Sequence, residues 1–130
     1  MYILDTNTLI YFFKGMGNVS GKLLATSPKE IGIPSVVLYE LEYGIEKSNS
    51  PEKRQAQLQE MCSVAEVLPF KQKEARCSAL IRADLEKKGT PIGQYDLLIA
   101  GIAVAHQGIL VTNNTKEFNR VLDLKLENWF

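Results

Sequence analysis

The chain is 130 residues long and 45% hydrophobic, which fits one domain with a real core (residues 1–130) and excludes a globally disordered polymer. Its formal net charge is zero, so any nucleic-acid partner must be met by a local basic face and not by global attraction. No apolar run approaches the roughly 20 residues that cross a bilayer, no basic leader is present, and the two cysteines, Cys62 and Cys77, lack the spacing of a zinc site; reduced thiols in a cytoplasmic protein are expected.

The first thirteen residues organise the rest. Tyr2-Ile3-Leu4 is an apolar run that ends at Asp5, two small polar residues follow, Thr6 and Asn7, and apolar positions return at Leu9, Ile10, Phe12 and Phe13. That pattern predicts a short buried strand, a tight turn and a helix. Ligands of open parallel sheets bind beyond the carboxyl ends of strands, where Asp5 would sit. An acid there also serves as a helix cap, so Asp5 alone does not decide between the two roles.

Gly15, Gly17 and Asn18 mark a loop, Ser20 opens a short helix, and Ser27-Pro28 ends it. Glu30–Ile33 reads as a strand and Ser35 as the N-cap of a helix over Val36–Lys47, whose apolar stripe is Val37, Leu38, Leu41 and Ile45. Glu40 borders that stripe, while Glu42 and Glu46 project freely. After the break at 48–51, Glu52–Ser63 is helical, Ala65–Leu68 is a strand closed by Pro69, and Lys71–Lys88 is a longer helix. Its expected core stripe is Cys77, Leu80, Ile81 and Leu85, and its lysines and arginines read as a solvated face.

Gly89–Gly93 is turn-rich. Gln94–Ala105 is apolar almost all round and so predicts a buried central helix, with Asp96 in its first turn. The helix dipole favours an acid there, but the apolar residues that follow call for a counter-charge, or the pKa rises. His106, at the helix end, is assigned no chemistry. Ile109–Thr112 is a strand, Asn114 and Glu117 are spaced as a capping box, and Leu124–Leu126 is a final edge strand with Trp129 packing after it. Strands alternating with helices predict an α/β/α sandwich on a mostly parallel sheet. Acids after two strands and near two helix starts, with no paired cation, suit a hard divalent ion, Mg²⁺ or Mn²⁺.

Four stretches with a tail, LDTNTLIYFFKG, SVVLYELEYGIEKS, GTPIGQYDLLIAGIA and LVTNNTKEF with LENW, resemble the PIN-domain ribonuclease toxins of VapC type, from residue 2 to residue 129. The resemblance implies a PIN-like α/β/α fold and a Mg²⁺-dependent endoribonuclease, the toxin of a toxin–antitoxin pair. The runs EKS and GTPIGQYD are similar to the subgroup that cuts initiator tRNA in its anticodon loop. The family's acids fall on Asp5, Glu40, Asp96 and Glu117, as catalytic and metal-binding residues. Its supporting polar residues fall on Thr6 or Asn7 and on Thr112 or Asn114. It also implies a VapB-type antitoxin, a homodimer, and contact with operator DNA only through the antitoxin. Lys14, Lys116 and Arg120 follow strand-end loops and are the candidate RNA contacts. The chain departs from many relatives in carrying Asn113 and Asn114 where they have an acid, and Gln94 where close relatives have proline. A haloacid-dehalogenase-type phosphatase fails because Asn7 stands where its second aspartate is required. A dinucleotide-binding domain fails for want of GxGxxG. A degenerate PIN domain that only binds a partner is disfavoured by the presence of all four acids.

Overall fold

A computed structural model describes residues 1–130. Strands β1 (Tyr2–Leu4), β2 (Ile31–Pro34), β3 (Glu66–Leu68), β4 (Ile109–Val111) and β5 (Lys125–Glu127) form one sheet in the order β3-β2-β1-β4-β5. Every pairing is parallel, and Tyr2 lies opposite both Ile31 and Ile109, which makes β1 the central strand. The chain winds outward from β1 to β3, then returns to the other side of β1. Strand order therefore reverses between β1 and β4, where open parallel sheets form a crevice at their carboxyl ends. The strands read as unbroken apolar runs because helices cover both faces; Ile3, Leu4, Ile33, Leu110 and Val111 are wholly inaccessible.

Seven helices surround the sheet: α1 (Thr6–Lys14), α2 (Val19–Leu24), α3 (Ser35–Glu46), α4 (Pro51–Val64), α5 (Gln72–Lys87), α6 (Gln94–Ala105) and α7 (Thr115–Phe118). Helix α1 starts at an Asp5 cap and stops at Gly15, whose φ of 67° is the left-handed conformation glycine tolerates best. Helix α6 is the buried one, with Leu97, Ile99, Ala100, Ile102 and Ala103 in the core. It lies so close to α5 that a Cβ on Gly101 would collide with Ser78. The chain end closes over the α1–α2 loop: the Asn18 N–H donates to the Phe130 carbonyl at 2.9 Å, and Trp129 packs on Tyr2 with ring centres 5.3 Å apart.

All five expected strands form, each within about a residue of its expected limits. Three local expectations fail. Ser35 is the first helical residue of α3 and caps nothing; Pro34 holds the cap position without a side-chain hydrogen bond. Leu80 is 53% exposed, because α5 turns Glu74, Ser78, Ile81 and Leu85 inward instead. Glu74 enters that stripe because its carboxylate folds back onto the Lys71 N–H at 2.9 Å and meets His106 Nε2 at 3.6 Å. His106 is thus tied to the start of α5, at the end of α6 away from Asp96. Finally, Asn114 and Glu117 do not form a capping box, since no side chain caps α7; they bond to each other.

Candidate functional site

Asp5 leaves the carboxyl end of β1 in an extended conformation that turns its side chain back under α1, where it accepts the Thr8 N–H at 2.9 Å. The Thr8 hydroxyl donates to the Val111 carbonyl at 3.0 Å, so the turn after β1 is bolted to β4. Asp5 is 5% exposed. Burial pushes its carboxyl above the ordinary range, against hydrogen bonds from Thr112 and Thr8 that pull it down. Asp5 thus caps α1 through one carboxylate oxygen, Oδ1.

The other three acids come from three other elements. Glu40, half-buried on α3, accepts the Thr6 hydroxyl at 2.7 Å. Glu117, on α7, accepts the Asn114 side-chain amide at 2.8 Å, and the Thr112 hydroxyl in turn accepts the Asn114 N–H at 2.9 Å. Asp96 stands in the first turn of α6. Its pKa is raised from 3.8 to about 6, first by burial, then by the charges of Glu117, Asp5 and Glu40, with a hydrogen bond to Glu117 adding to the shift. The fold thus brings the other three acids within electrostatic reach of Asp96. The ion pairs of the molecule lie elsewhere, at Arg82–Glu86, Lys88–Asp84 and His106–Glu74, so no cation of the chain neutralises the cluster.

This donor set tests whether a metal fits. The ligands are carboxylate oxygens alone, backed by hydroxyls and an amide, which suits a hard divalent ion. No three acidic, histidine or cysteine side chains stand at metal-ligand spacing. The arrangement is not an all-protein cage, so a divalent ion held here would draw part of its coordination from water.

Of the paired alternatives in the sequence, Thr6 faces the acids whereas Asn7 is exposed. Both Thr112 and Asn114 hydrogen-bond into the acid cluster, to Asp5 and Glu117 respectively, while the Asn113 side chain turns away to accept the Asn128 amide at 3.0 Å. Lys14 and Lys116 are exposed, and Lys14 shares a groove lining with Glu40. Arg120 is partly committed: its guanidinium donates to the Pro91 carbonyl at 3.0 Å, holding the loop before α6. Sequence reasoning missed Thr8, which had a signal in standing three residues after Asp5. It also missed the exposed rings of Tyr39 and Tyr95, each one residue before an acid, and Arg54.

Beside Glu40, α1 and α3 leave a groove of about 250 Å³ walled by Ile10, Phe13, Leu41 and Ile45, with Lys14 and Arg54 on its lining. Tyr11 meets the Phe130 ring edge-on, Phe12 faces α2 and Met61, and Tyr43 lies exposed under Lys47.

The PIN domain family matches residues 2–123. Among curated relatives, "Ribonuclease VapC2" of Rickettsia felis is 42% identical over 99% of this chain and 98% of its own. "tRNA(fMet)-specific endonuclease VapC" of Salmonella typhimurium is 38% identical over 98% of this chain and 97% of its own. Among solved structures, VapBC2 from Rickettsia felis bound to a DNA fragment from its promoter superposes with a TM-score of 0.91 at 40% identity, covering 99% of this chain and 98% of that one. A five-stranded parallel sheet, acids converging at its reversal point and full-length similarity agree: this chain belongs to the PIN-domain family, in its VapC branch.

Proposed function

We propose that the chain is the toxin of a toxin–antitoxin pair, a divalent-metal-dependent endoribonuclease that cuts initiator tRNA in its anticodon loop, with Mg²⁺ as the preferred ion and Mn²⁺ as a substitute. One observation carries the nuclease reading: four carboxylates from four elements crowd together without a cation, at the cost of an Asp96 pKa near 6. A fold keeps such a cluster where a cation and a phosphodiester are to be held. The choice of initiator tRNA is supported by the similarity to the tRNA(fMet)-specific endonucleases VapC of Salmonella typhimurium and Shigella flexneri, each 38% identical.

In this reading Asp5 and Asp96 are the principal ligands, direct or through water, and Glu40 and Glu117 hold water molecules or a second ion. When bound, the ion offsets charge on the phosphodiester oxygens and makes water a better nucleophile at neutral pH. Thr112 steadies Asp5, Thr6 steadies Glu40, and Asn114 steadies Glu117. Lys14, Lys116 and Arg120 meet the flanking phosphates, and attack by water leaves a 5′-phosphate. The partner is a VapB-type antitoxin, with operator DNA reached through it, and the toxin forms a homodimer. An apolar antitoxin segment fills the α1–α3 groove and a basic side chain neutralises the acids.

The test is sequencing of RNA ends after controlled expression of the chain and of Asp5→Asn, followed by cleavage of initiator and elongator tRNAs with Mg²⁺, with Mn²⁺ and with chelator. Chelator-sensitive cutting of initiator tRNA that Asp5→Asn lacks is expected. Cleavage that survives both chelator and Asp5→Asn refutes the reading.

A further inference from the structure

Tyr39 on α3 and Tyr95 on α6 are 55% and 46% exposed, yet their rings meet across the two helices, with centres 5.7 Å apart and planes tilted by 57°. Neither belongs to the hydrophobic core or packs against it. The nearby Tyr43 differs: the Lys47 ammonium lies 5.2 Å from its ring centre and covers it. Each ring of the pair directly precedes an acid of the cluster, Glu40 or Asp96. The pair therefore lies where the two helices that carry Glu40 and Asp96 come together. The backbone turns that position the acids therefore also fix the rings, with Cα atoms about 3.8 Å apart between neighbours.

We propose that Tyr39 and Tyr95 form a stacking platform for one unpaired base of the RNA beside the scissile phosphate. This rests on the reading of the chain as a ribonuclease. With the planes tilted by 57°, one ring offers a face the size of one base and the other stands against its edge, an area far below the ~800 Å² per partner of a standard protein interface. The adjoining carboxylates repel a second phosphate, whereas a neutral base can approach them. Single-stranded RNA loops are read by splaying bases onto aromatic side chains, and stacking tolerates any base. The platform selects flexible loops over duplex and holds the strand in register while the phosphate meets the acids.

The experiment compares the Tyr39→Ala/Tyr95→Ala double variant with Tyr39→Phe/Tyr95→Phe. The readouts are KM and kcat on a tRNA substrate, and fluorescence of a loop oligonucleotide carrying 2-aminopurine next to the cut, bound to Asp5→Asn protein with and without the tyrosine changes. The alanine pair should raise KM about tenfold with kcat within about twofold, the phenylalanine pair should match the parent, and quenching of 2-aminopurine should need the rings. Both tyrosines are exposed, so folding should be retained, and single Tyr39→Ala and Tyr95→Ala variants in the quenching assay provide a second route if the alanine pair misfolds. Equal KM and equal quenching for all forms overturn the platform while leaving the nuclease reading intact. So does a fall in oligomeric state by light scattering in the alanine pair with quenching unchanged, which makes the rings a contact between copies. Absence of metal-dependent cleavage by the unmodified chain overturns the nuclease reading and the platform with it.

Discussion

Asp96→Asn keeps the shape of the side chain and removes the charge that its surroundings oppose most. The raised pKa means that the folded chain binds more protons than the unfolded one between about pH 4 and pH 6. Stability contributed by this residue is therefore present at low pH and is lost as pH rises through that window. A shift from 3.8 to about 6 is worth about 3 kcal/mol at full value. Asp96 is only half-buried, and solvent screening reduces this to on the order of 1–1.5 kcal/mol. Loss of an acid from the first turn of α6 opposes the gain by about 0.3–1 kcal/mol. In metal-free buffer near pH 7.5 the variant should melt no lower than the parent and up to about 5 °C higher, and the two should converge near pH 4. Millimolar Mg²⁺ should invert the order, because an ion that binds only the folded, charged site stabilises the parent by mass action. Thermal melts at both pH values, with chelator and with Mg²⁺, measure all of this. A variant that melts clearly lower than the parent in chelator at pH 7.5 would show that Asp96 serves α6 as a capping charge, and the argument from crowded acids would fail.

Asp5 should separate structure from chemistry: Asp5→Ala loses the hydrogen bond to the Thr8 N–H and about 1 kcal/mol in denaturant titrations, Asp5→Asn keeps most of it, and both lose metal-dependent cleavage. Lys116→Ala with Arg120→Ala should weaken tRNA binding and flatten its dependence on salt; an unchanged slope in filter binding would redirect the RNA path to the basic face of α5. Gly101→Val forces a side chain into Ser78 at the α5–α6 crossing and should lower stability by at least about 2 kcal/mol, read by urea unfolding. Light scattering at micromolar concentration should give a homodimer, and a monomer there refutes that claim.

The sequence by itself determined the order and type of the strands, because each is a short apolar run broken by turn residues. It also located α6, because a helix that is apolar all round has to be interior. It marked Asp5 and Asp96 as anomalies, one at the end of an apolar run and the other at the start of one. Local spacing was a weaker guide wherever a non-local partner competed. Asn114 and Glu117 have capping-box spacing, yet they bond side chain to side chain beside Asp96. Glu74 took an inward position that periodicity gave to Leu80, since the Lys71 N–H and His106 could satisfy its charge. Only the tertiary structure decided that Thr6 and not Asn7 supports Glu40, that Asn113 turns toward the chain end, and that two exposed tyrosines meet at the lip of the site. The physical reason is that periodicity reports which side of its own element a residue occupies, whereas a site is made by the crossing of elements distant in sequence. The four acids come from positions 5, 40, 96 and 117, and what makes them one site is the parallel sheet that reverses its winding between β1 and β4.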